Sequence, residues 1–389
     1  MPIVKTLSKA TKLEKEKFTI PKSVQDAIPI QRIWSDGIFQ IGSRFSKTFS
    51  FTDINYSIAG KEDKTAMFLD YSEFLNALDS GASAKITINN RRINKAEFES
   101  SLLLPMKEDG LDHFRKEYNE MLLSKVSGTN NSVVQDRYIT VTVAKRNIDE
   151  ARTYFSRVGT DLITHLSRLS SICRELDAET RLQVFRDFFK ADEPVAFPFN
   201  LKEQMKKGHS FKDWLCPDSM EFQKDHFRLN DRWGQVLYLQ GYASYIKDSM
   251  IAELCDMDRS LMLSIDILPV PTDEAVREIQ NKLLGVETNA ANWQRKQNAA
   301  RNFSAVLPYD MEQQRKETTE MLEDLTNRDQ RMMYGLVTLV HLADTREQLD
   351  SDTETILTTA RKYLCQMSVL RWQQKDALDT VLPYGLRRI

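Results

Sequence analysis

The hydrophobic pattern opens with the two-residue period of a β-strand. In the stretch IPIQRIW-SDG-IFQIGSRFSKTFSF, residues 28–51, apolar side chains largely recur at every second position, and Asp36-Gly37 is a turn signal between the two runs. Alternation on both sides of such a turn predicts a β-hairpin.

The glycines of this hairpin also have the spacing of a phosphate-binding loop. Gly37 and Gly42 are five residues apart, as in G-x-x-x-x-G-K-[ST], but Ser43 and Arg44 stand where that pattern has lysine and then a hydroxyl residue. The lysine must reach the β- and γ-phosphates, the hydroxyl must bind magnesium, and a helix must follow. Because a helical period begins only near residue 63, we predict a hairpin here and no nucleotide site.

A helical period of 3.6 residues then begins. Met67, Tyr71, Phe74 and Leu78 share one helical face, and Gly81 is a stop signal. A strand, AKITINNRRIN, and a second amphipathic helix, LDHFRKEYNEMLLSKVSG, follow. These elements predict a small mixed α/β unit with a β-hairpin over residues 28–135.

Residues 1–27 precede this unit and form a predicted flexible basic arm. Between Met1 and Lys22 the arm carries six lysines and two glutamates, and it lacks the apolar segment of a secretory signal. Such an arm is typical of a solvated chain end, and the alternative is a segment that rests on anionic lipid or on a partner.

Residues 136–389 predict a larger α/β region. YITVTV is a strand, and Asn147 with Glu150 has the spacing of a capping box. The next apolar stripe runs over residues 148–176 and predicts a long amphipathic helix, whose stripe is either a packed core face or an interaction face. Residues 190–230 are irregular and rich in aromatic side chains, which predicts an insertion with short elements.

From residue 232 onward strands and helices alternate. Four strands are predicted, WGQVLYLQGY, SLMLSIDILPV, MMYGLVTLVHLA and CQMSVLRW, and the helices between them have cap candidates at Thr272 and Thr345. This order predicts split βαβ units that form mixed sheets, so the predicted fold class is α/β (α+β). A strand followed by a Thr-capped helix occurs at both 261–284 and 332–357, which hints at an internal duplication.

Composition narrows the class of protein. A net charge of −2 excludes a strongly basic nucleic-acid-binding protein, and no run of about 18 apolar residues encodes a transmembrane helix. Four scattered cysteines without a C-x-x-C pair predict free, buried thiols in a reducing compartment.

Candidate chemistry is sparse. Asp266 ends an apolar strand as a Walker B aspartate does, but without a P-loop we interpret it as a strand residue on a polar face. His209 and His226 lack the companion ligands of a metal site. We therefore predict no catalytic, cofactor-binding or metal-binding residue in this chain.

One segment mixes basic and aromatic side chains. NWQRKQNAARNF, residues 292–303, carries Arg295, Lys296 and Arg301 together with Trp293 and Phe303. This mixture is typical either of a single-stranded nucleic-acid contact or of a solvated helix end.

Several stretches together resemble one family. They are IPIQRIWSDGIFQIGSRFSKTFSFTDINY, KITINNRRIN, YASYIKDSMIAELCDMDRSLMLSIDILPVPTDEAVREI, NFSAVLPYDMEQQRKE and DQRMMYGLVTLVHLADTREQLDSDTETILTTARKYL. They resemble the amino-terminal half of VirB-type conjugal transfer ATPases of type IV secretion systems, in the form found on integrative conjugative elements. The resemblance runs from about residue 28 to the last residue.

The resemblance implies a function in conjugation without catalysis by this chain. Members of the family continue into a RecA-like domain, whose Walker A and Walker B motifs bind ATP and magnesium and power DNA and protein transfer. No position here matches those motifs, so the RecA-like ATPase domain is expected to be absent and the chain is predicted to be inactive alone.

The same resemblance implies partners and a location. The amino-terminal half of these ATPases docks on inner-membrane components of the secretion machine and makes oligomer contacts. We expect a cytoplasmic protein, peripheral at the cytoplasmic face of the cell membrane, that self-associates. The alternatives are a short, motor-less structural paralogue that regulates a full-length ATPase, a nucleic-acid-binding module, and a hydrolase with an unrecognised site.

Overall fold

The computed structural model describes residues 21–54, 56, 58–92, 103–128, 133–190, 200–243, 246–247, 249–302 and 306–389. Within these residues, twelve strands form one sheet: β1 (Arg32–Ile33), β2 (Phe39–Ile41), β3 (Arg44–Phe51), β4 (Ala82–Arg92), β5 (Val133–Ala144), β6 (Cys173–Glu175), β7 (Met220–Phe222), β8 (Phe227–Leu229), β9 (Arg232–Gly241), β10 (Leu261–Pro269), β11 (Met333–Ala343) and β12 (Gln366–Val369).

Helices connect the strands and cover the sheet. Over the same residues they are α1 (Val24–Ala27), α2 (Lys61–Asn76), α3 (Asp112–Gly128), α4 (Ile148–Arg168), α5 (Ala178–Phe189), α6 (Leu201–Lys206), α7 (Phe211–Leu215), α8 (Ser249–Cys255), α9 (Thr272–Ala299), α10 (Tyr309–Asn327), α11 (Arg346–Lys362) and α12 (Gln374–Val381). None of these described helices is long and apolar enough to cross a membrane.

The strand order contains the predicted split βαβ units. The sheet runs β1-β2-β3-β5-β4-β10-β11-β9-β8-β7, with β6 added beside β3 and β12 beside β9. β11 lies between β9 and β10, and β9 lies between β11 and β12, so each crossover helix joins two parallel strands that are separated by a third. The α+β class is confirmed. Because a strand fills each gap, every described pairing is antiparallel, and there is one antiparallel sheet where mixed sheets were expected.

The chain contains two structural repeats. Residues 44–175 fold as β3-α2-β4-α3-β5-α4-β6 with the strand order β6-β3-β5-β4, and residues 232–369 fold as β9-α8-β10-α9-α10-β11-α11-β12 with the strand order β12-β9-β11-β10. Apart from the helices between the two central strands, α3 in the first and α9 with α10 in the second, both follow the ferredoxin-like βαββαβ pattern. This duplication differs from the one that residues 261–284 and 332–357 suggest, since both of those segments belong to the second repeat.

The two repeats meet where β4 pairs with β10. The two repeats can be aligned on Arg44 and Arg232, the first residues of β3 and β9. Followed through the strand registers, this alignment makes Thr87 of β4 equivalent to Ser264 of β10. These two residues lie directly opposite each other in the β4–β10 pairing. The pairing is therefore locally two-fold symmetric about these two residues.

Each sheet face has its own cover. On one face α2 and α4 pack on the first repeat around Phe49 and Phe155, and α8 and α11 pack on the second repeat around Leu263 and Ile356. On the opposite face α5, α12 and the carboxyl-terminal residues cover apolar side chains of β2 and of the second repeat.

The amino-terminal hairpin is confirmed, with one more turn than expected. Asp36-Gly37 separates β1 from β2, and Gly42, in the left-handed region at a φ of 59°, turns β2 into β3. Residues 1–20 of the predicted arm lie outside the described residues, and Val24–Ala27 form α1. The predicted boundary between residues 135 and 136 falls inside β5, and the division into domains stays a prediction.

The predicted helix over residues 148–176 is shorter than expected. α4 ends at Arg168 because the chain reverses at Ser170, whose φ is 60°, and continues into β6. Its apolar stripe is a core face, since Phe155, Leu162 and Leu166 are buried against the sheet.

Two of the three predicted helix caps are present. The side chain of Asn147 accepts a hydrogen bond from the Glu150 amide at 2.9 Å, and Thr345 accepts one from the Gln348 amide at 3.2 Å. The cap at Thr272 is wrong, because this residue is already helical and the N-cap is Pro271, whose side chain has no acceptor.

The predicted insertion over residues 190–230 contains short elements, as expected. α6, α7, β7 and β8 lie there, and β8 extends the sheet beside β9. Leu215 and Cys216 are buried in the core on this side of the sheet. Residues 191–199 lie outside the described part of the chain.

Candidate functional site

A layer of polar side chains lies inside the molecule, on the sheet face that the carboxyl-terminal residues cover. Its members come from β3, β4, β5, β10 and β11, and each is at most 5% exposed: Ser46, Thr48, Lys85, Thr87, Asn89, Thr140, Thr142, Ser264, Asp266 and Thr338. Hydroxyl groups pair across the strands at 2.9 Å, between Thr48 and Thr140 and between Thr87 and Ser264. Since buried polar groups require partners, this layer restricts what can cover it.

A buried ion pair lies beside the two-fold position. Lys85 Nζ is 2.9 Å from Asp266 Oδ2 and also donates to the carbonyl of Thr380. Burial lowers the pKa of Lys85 and raises the pKa of Asp266, and the attraction between the two charges opposes both shifts. The Asp266 carboxylate is therefore engaged by a lysine, and this residue occupies the polar strand position that we predicted.

The carboxyl-terminal segment, residues 380–386, lies directly on this layer. Ser46 Oγ donates to the carbonyl of Tyr384 at 2.8 Å, and Ser264 Oγ donates to that of Val381 at 2.5 Å. Gly385 has a φ of 84°, and a Cβ atom there would lie 2.1 Å from Thr142 Oγ1. The segment is thus fitted to the sheet at backbone distance.

Arg181 of α5 joins this segment to the first repeat. Its guanidinium is fully buried, donates to the Ser46 carbonyl at 2.7 Å and the Pro383 carbonyl at 3.2 Å, and lies 3.9 Å from the centre of the Phe39 ring. Burial lowers the pKa of Arg181, and these hydrogen bonds with the ring contact stabilise the charge.

A cleft of about 390 Å³ opens at the end of the polar layer. β3 and β4 begin here, β5 and β10 end here, and α9 begins at its edge. Its polar lining includes two guanidinium groups and several hydroxyl groups: Ser43, Arg44, Ser80, Ser83, Thr142 and Arg387. The sequence comparison with a P-loop singled out Ser43 and Arg44, and the fold places them beside Arg387 of the chain end.

Positive charge exceeds negative charge around this cleft. Arg44 and Arg387 line it, against the carboxylate of Glu274, and the Lys85–Asp266 ion pair lies nearby in the polar layer. Burial lowers the pKa of Arg387, Asp266 raises it, and Arg44 lowers it again. Arg387 has no hydrogen-bond or ion-pair partner among the described residues.

The glycines of the P-loop-like spacing serve another purpose. Gly37 lies against the chain before α5, and a Cβ atom at this position would lie 2.0 Å from the Leu176 carbonyl oxygen. Backbone therefore fills the space that a phosphate would need at Gly37. Gly42 turns the chain into a strand, where a P-loop requires a helix.

An exposed apolar stripe marks α3. Leu111, which directly precedes the helix, and Phe114, Tyr118 and Met121 recur at intervals of three or four residues, which places them on one side of α3. They are 52%, 58%, 47% and 42% exposed. We call this set the α3 stripe. Unlike the stripe of α4, it leaves large apolar side chains in water.

The other candidates from the sequence stay apart from the cleft. His226 Nδ1 lies 2.6 Å from Asp225 Oδ1, and His209 is exposed on another part of the surface. Over the described residues, no three side chains of His, Cys, Asp or Glu come together as metal ligands. Of the four free cysteines, three are buried and Cys173 is half-buried.

The basic and aromatic segment at 292–303 occupies the end of α9. Arg295 and Lys296 are exposed and Trp293 is half-buried, whereas Phe303 lies outside the described residues. A nucleic-acid contact at this helix end stays a prediction.

A buried histidine was not found from the sequence. His341 Nε2 lies 3.1 Å from Thr353 Oγ1, which also donates to Gln235 Oε1 at 2.6 Å. Burial lowers the pKa of His341 to about 4, so its ring is neutral at neutral pH. With 1% exposure, this group stabilises the second repeat and is not accessible to a substrate.

No protein-family model matches the chain, and no curated protein sequence matches it.

Proposed function

We propose that this chain is the non-catalytic, amino-terminal assembly and docking region of a conjugal transfer ATPase of a type IV secretion system. In this proposal it works at the cytoplasmic face of the cell membrane, where it binds inner-membrane components of the machine and associates with further copies of itself. ATP and magnesium act in the RecA-like domain of the parent protein, which powers DNA and protein transfer.

The α3 stripe is the observation that supports docking. Contiguous apolar side chains at helical spacing are costly in water and are typical of a helix that lies in a partner's groove. The stripes of α4 and α11 are covered by the sheet, whereas that of α3 is open. We therefore assign the α3 stripe as the surface that an inner-membrane component covers with a complementary apolar groove.

The test is binding to purified, detergent-solubilised inner-membrane components of the machine. We expect the chain to bind, and we expect a Phe114→Glu, Tyr118→Glu double variant to lose at least tenfold in affinity. Leu284→Glu is the matched control, since Leu284 is 67% exposed on α9 of the other repeat. Equal loss in the control, or equal binding of the chain to protein-free lipid vesicles, would contradict a protein partner at α3.

The non-catalytic part of the proposal has its own test. Equilibrium dialysis of the purified chain with ATP should give no magnesium-dependent binding, because no lysine and hydroxyl follow Gly42 in the P-loop arrangement. Tight ATP binding that requires magnesium would contradict the proposal.

A further inference from the structure

The cleft at the end of the polar layer has the chemistry of an anion site. Two guanidinium groups, of Arg44 and Arg387, come together there from opposite ends of the chain. The two groups are close enough for Arg44 to lower the pKa of Arg387, and an anion bound at both would reduce this repulsion. Guanidinium groups match phosphate oxygens in geometry and can bind them through two parallel hydrogen bonds.

Neighbouring donors point to the same ligand. The hydroxyl groups of Ser43, Ser80 and Ser83 line the cleft, and each can donate a hydrogen bond to an oxygen anion. The amino-terminal end of α9 borders the cleft at Pro271. No side chain of the described residues caps this helix end, so its first amide groups donate no hydrogen bond to a capping side chain. Glu274 is the opposing charge on this wall.

The remaining wall is apolar. Leu268 and Pro271 line it, and the volume of about 390 Å³ lies within the roughly 300–1,000 Å³ of small-molecule pockets. A bare phosphate ion would leave these side chains without a contact. From this combination we propose that the cleft binds the phosphate group of a small phosphorylated organic molecule, whose apolar part lies against β10.

The proposal is independent of docking through α3 and of magnesium-dependent ATP binding. The cleft and α3 involve different residues, and the cleft offers arginines where a P-loop offers lysine and a magnesium ligand. Loss of one function therefore leaves the other testable.

The experiment is isothermal titration calorimetry of the full chain at constant ionic strength. The probes are phenyl phosphate, which carries both a phosphate and an apolar group, and inorganic phosphate. We expect saturable binding of one phenyl phosphate per chain, at least tenfold tighter than inorganic phosphate. Equal affinities would overturn the proposal in favour of a free-phosphate site, and no saturable heat from either probe would overturn it entirely.

Variants assign the binding to the cleft. Arg44→Gln and Arg387→Gln should each weaken phenyl phosphate binding at least tenfold, whereas Arg371→Gln, which removes the same charge from an exposed position, should not change it. Circular dichroism identifies variants that fold. Arg44 lies at the rim of the cleft, at the start of β3. If Arg387→Gln does not fold, Arg44→Gln alone tests the proposal. Unchanged binding in a folded Arg44→Gln variant would contradict the proposal.

Discussion

Lys85 carries its ammonium group inside the molecule. The residue is 1% exposed, and its ammonium group donates to Asp266 and to the carbonyl of Thr380. Replacement by methionine keeps the volume but leaves the Asp266 carboxylate buried without its cation. We expect Lys85→Met to lower the free energy of unfolding by about 3–5 kcal/mol, measured by urea denaturation.

Two further variants test this explanation. A second substitution, Asp266→Leu, should restore most of the lost stability of Lys85→Met, since no buried charge then remains. Lys362→Met removes an exposed ion pair with Glu253 and should leave the urea midpoint nearly unchanged. A Lys85→Met midpoint equal to that of the unsubstituted chain would contradict the role of the buried pair.

His341 makes stability depend on pH. Burial lowers its pKa to about 4, below the usual 6.5, so the unfolded chain binds the proton more readily than the folded one. Its contribution is fully present above pH 6.5 and is lost as the pH falls toward 4, and it amounts to about 3 kcal/mol. His341→Gln should flatten the fall in unfolding free energy over this range, whereas exposed His209→Gln should retain it.

The sequence indicated some residues of the polar layer and missed others. Asp266 was identified as a strand residue on a polar face because the polar and apolar residues that indicate this are its neighbours in the sequence. Lys85 and Arg387 carried no such signal. Their roles depend on β4 and the chain end coming together, and residues so far apart in the sequence meet only through the fold.

At the scale of elements, the fit of residues 380–386 to the sheet depends on one glycine. Gly385→Ala would place a methyl group 2.1 Å from Thr142 Oγ1 at a φ of 84°. We expect a loss of about 1–3 kcal/mol in unfolding free energy and faster proteolysis at the carboxyl terminus. Gly285→Ala inside α9, where a Cβ atom meets nothing within 4 Å, should instead stabilise by roughly 0.5–1 kcal/mol. Equal effects of the two substitutions would contradict this fit.

Element type was predictable where periodicity is strong, and element ends were not. β9, β10 and β11 follow from their apolar runs, as does the start of α4 from its Asn147 cap. The end of α4 was missed because Ile172 and Leu176, on either side of β6, continue its hydrophobic period by chance. The prediction of a cap at Thr272 was wrong because the chain enters α9 one residue earlier, with Pro271 at the N-cap position.

At the scale of the whole molecule, residues outside the repeats join the two. Phe39 and Phe185, which flank the first repeat, pack in the same cluster as Val236 and Val340 of the second. The segment 380–386 accepts hydrogen bonds from Ser46 of the first repeat and from Ser264 of the second. We expect a single cooperative unfolding transition, with equal urea midpoints for variants whose only tryptophan is Trp34 or Trp233. Two separate midpoints would show that the repeats unfold independently.

The repeat itself could not be predicted from the sequence. Split βαβ units follow from the order of strands and helices, but the order of strands in the sheet depends on pairings between distant segments. The hairpins IGSRF and LNDRW, at residues 41–45 and 229–233, are similar only in a turn, an arginine and an aromatic residue. The similarity of the two turns is recognisable only in the structure, where each directly precedes the first strand of a repeat.

The pairing of β4 with β10 has a consequence for how such a chain arises. A protein of one repeat would meet its own copy along this edge as a homodimer, and every cross-strand pair would then occur twice. In the fused chain the two sides of the axis differ, because Lys85 faces Asp266 whereas the equivalent pair is Met262 facing Asn89. Joining two copies in one gene thus allows a single buried ion pair between β4 and β10, which a symmetric dimer cannot have. This single pair specifies the register in which β4 lies against β10.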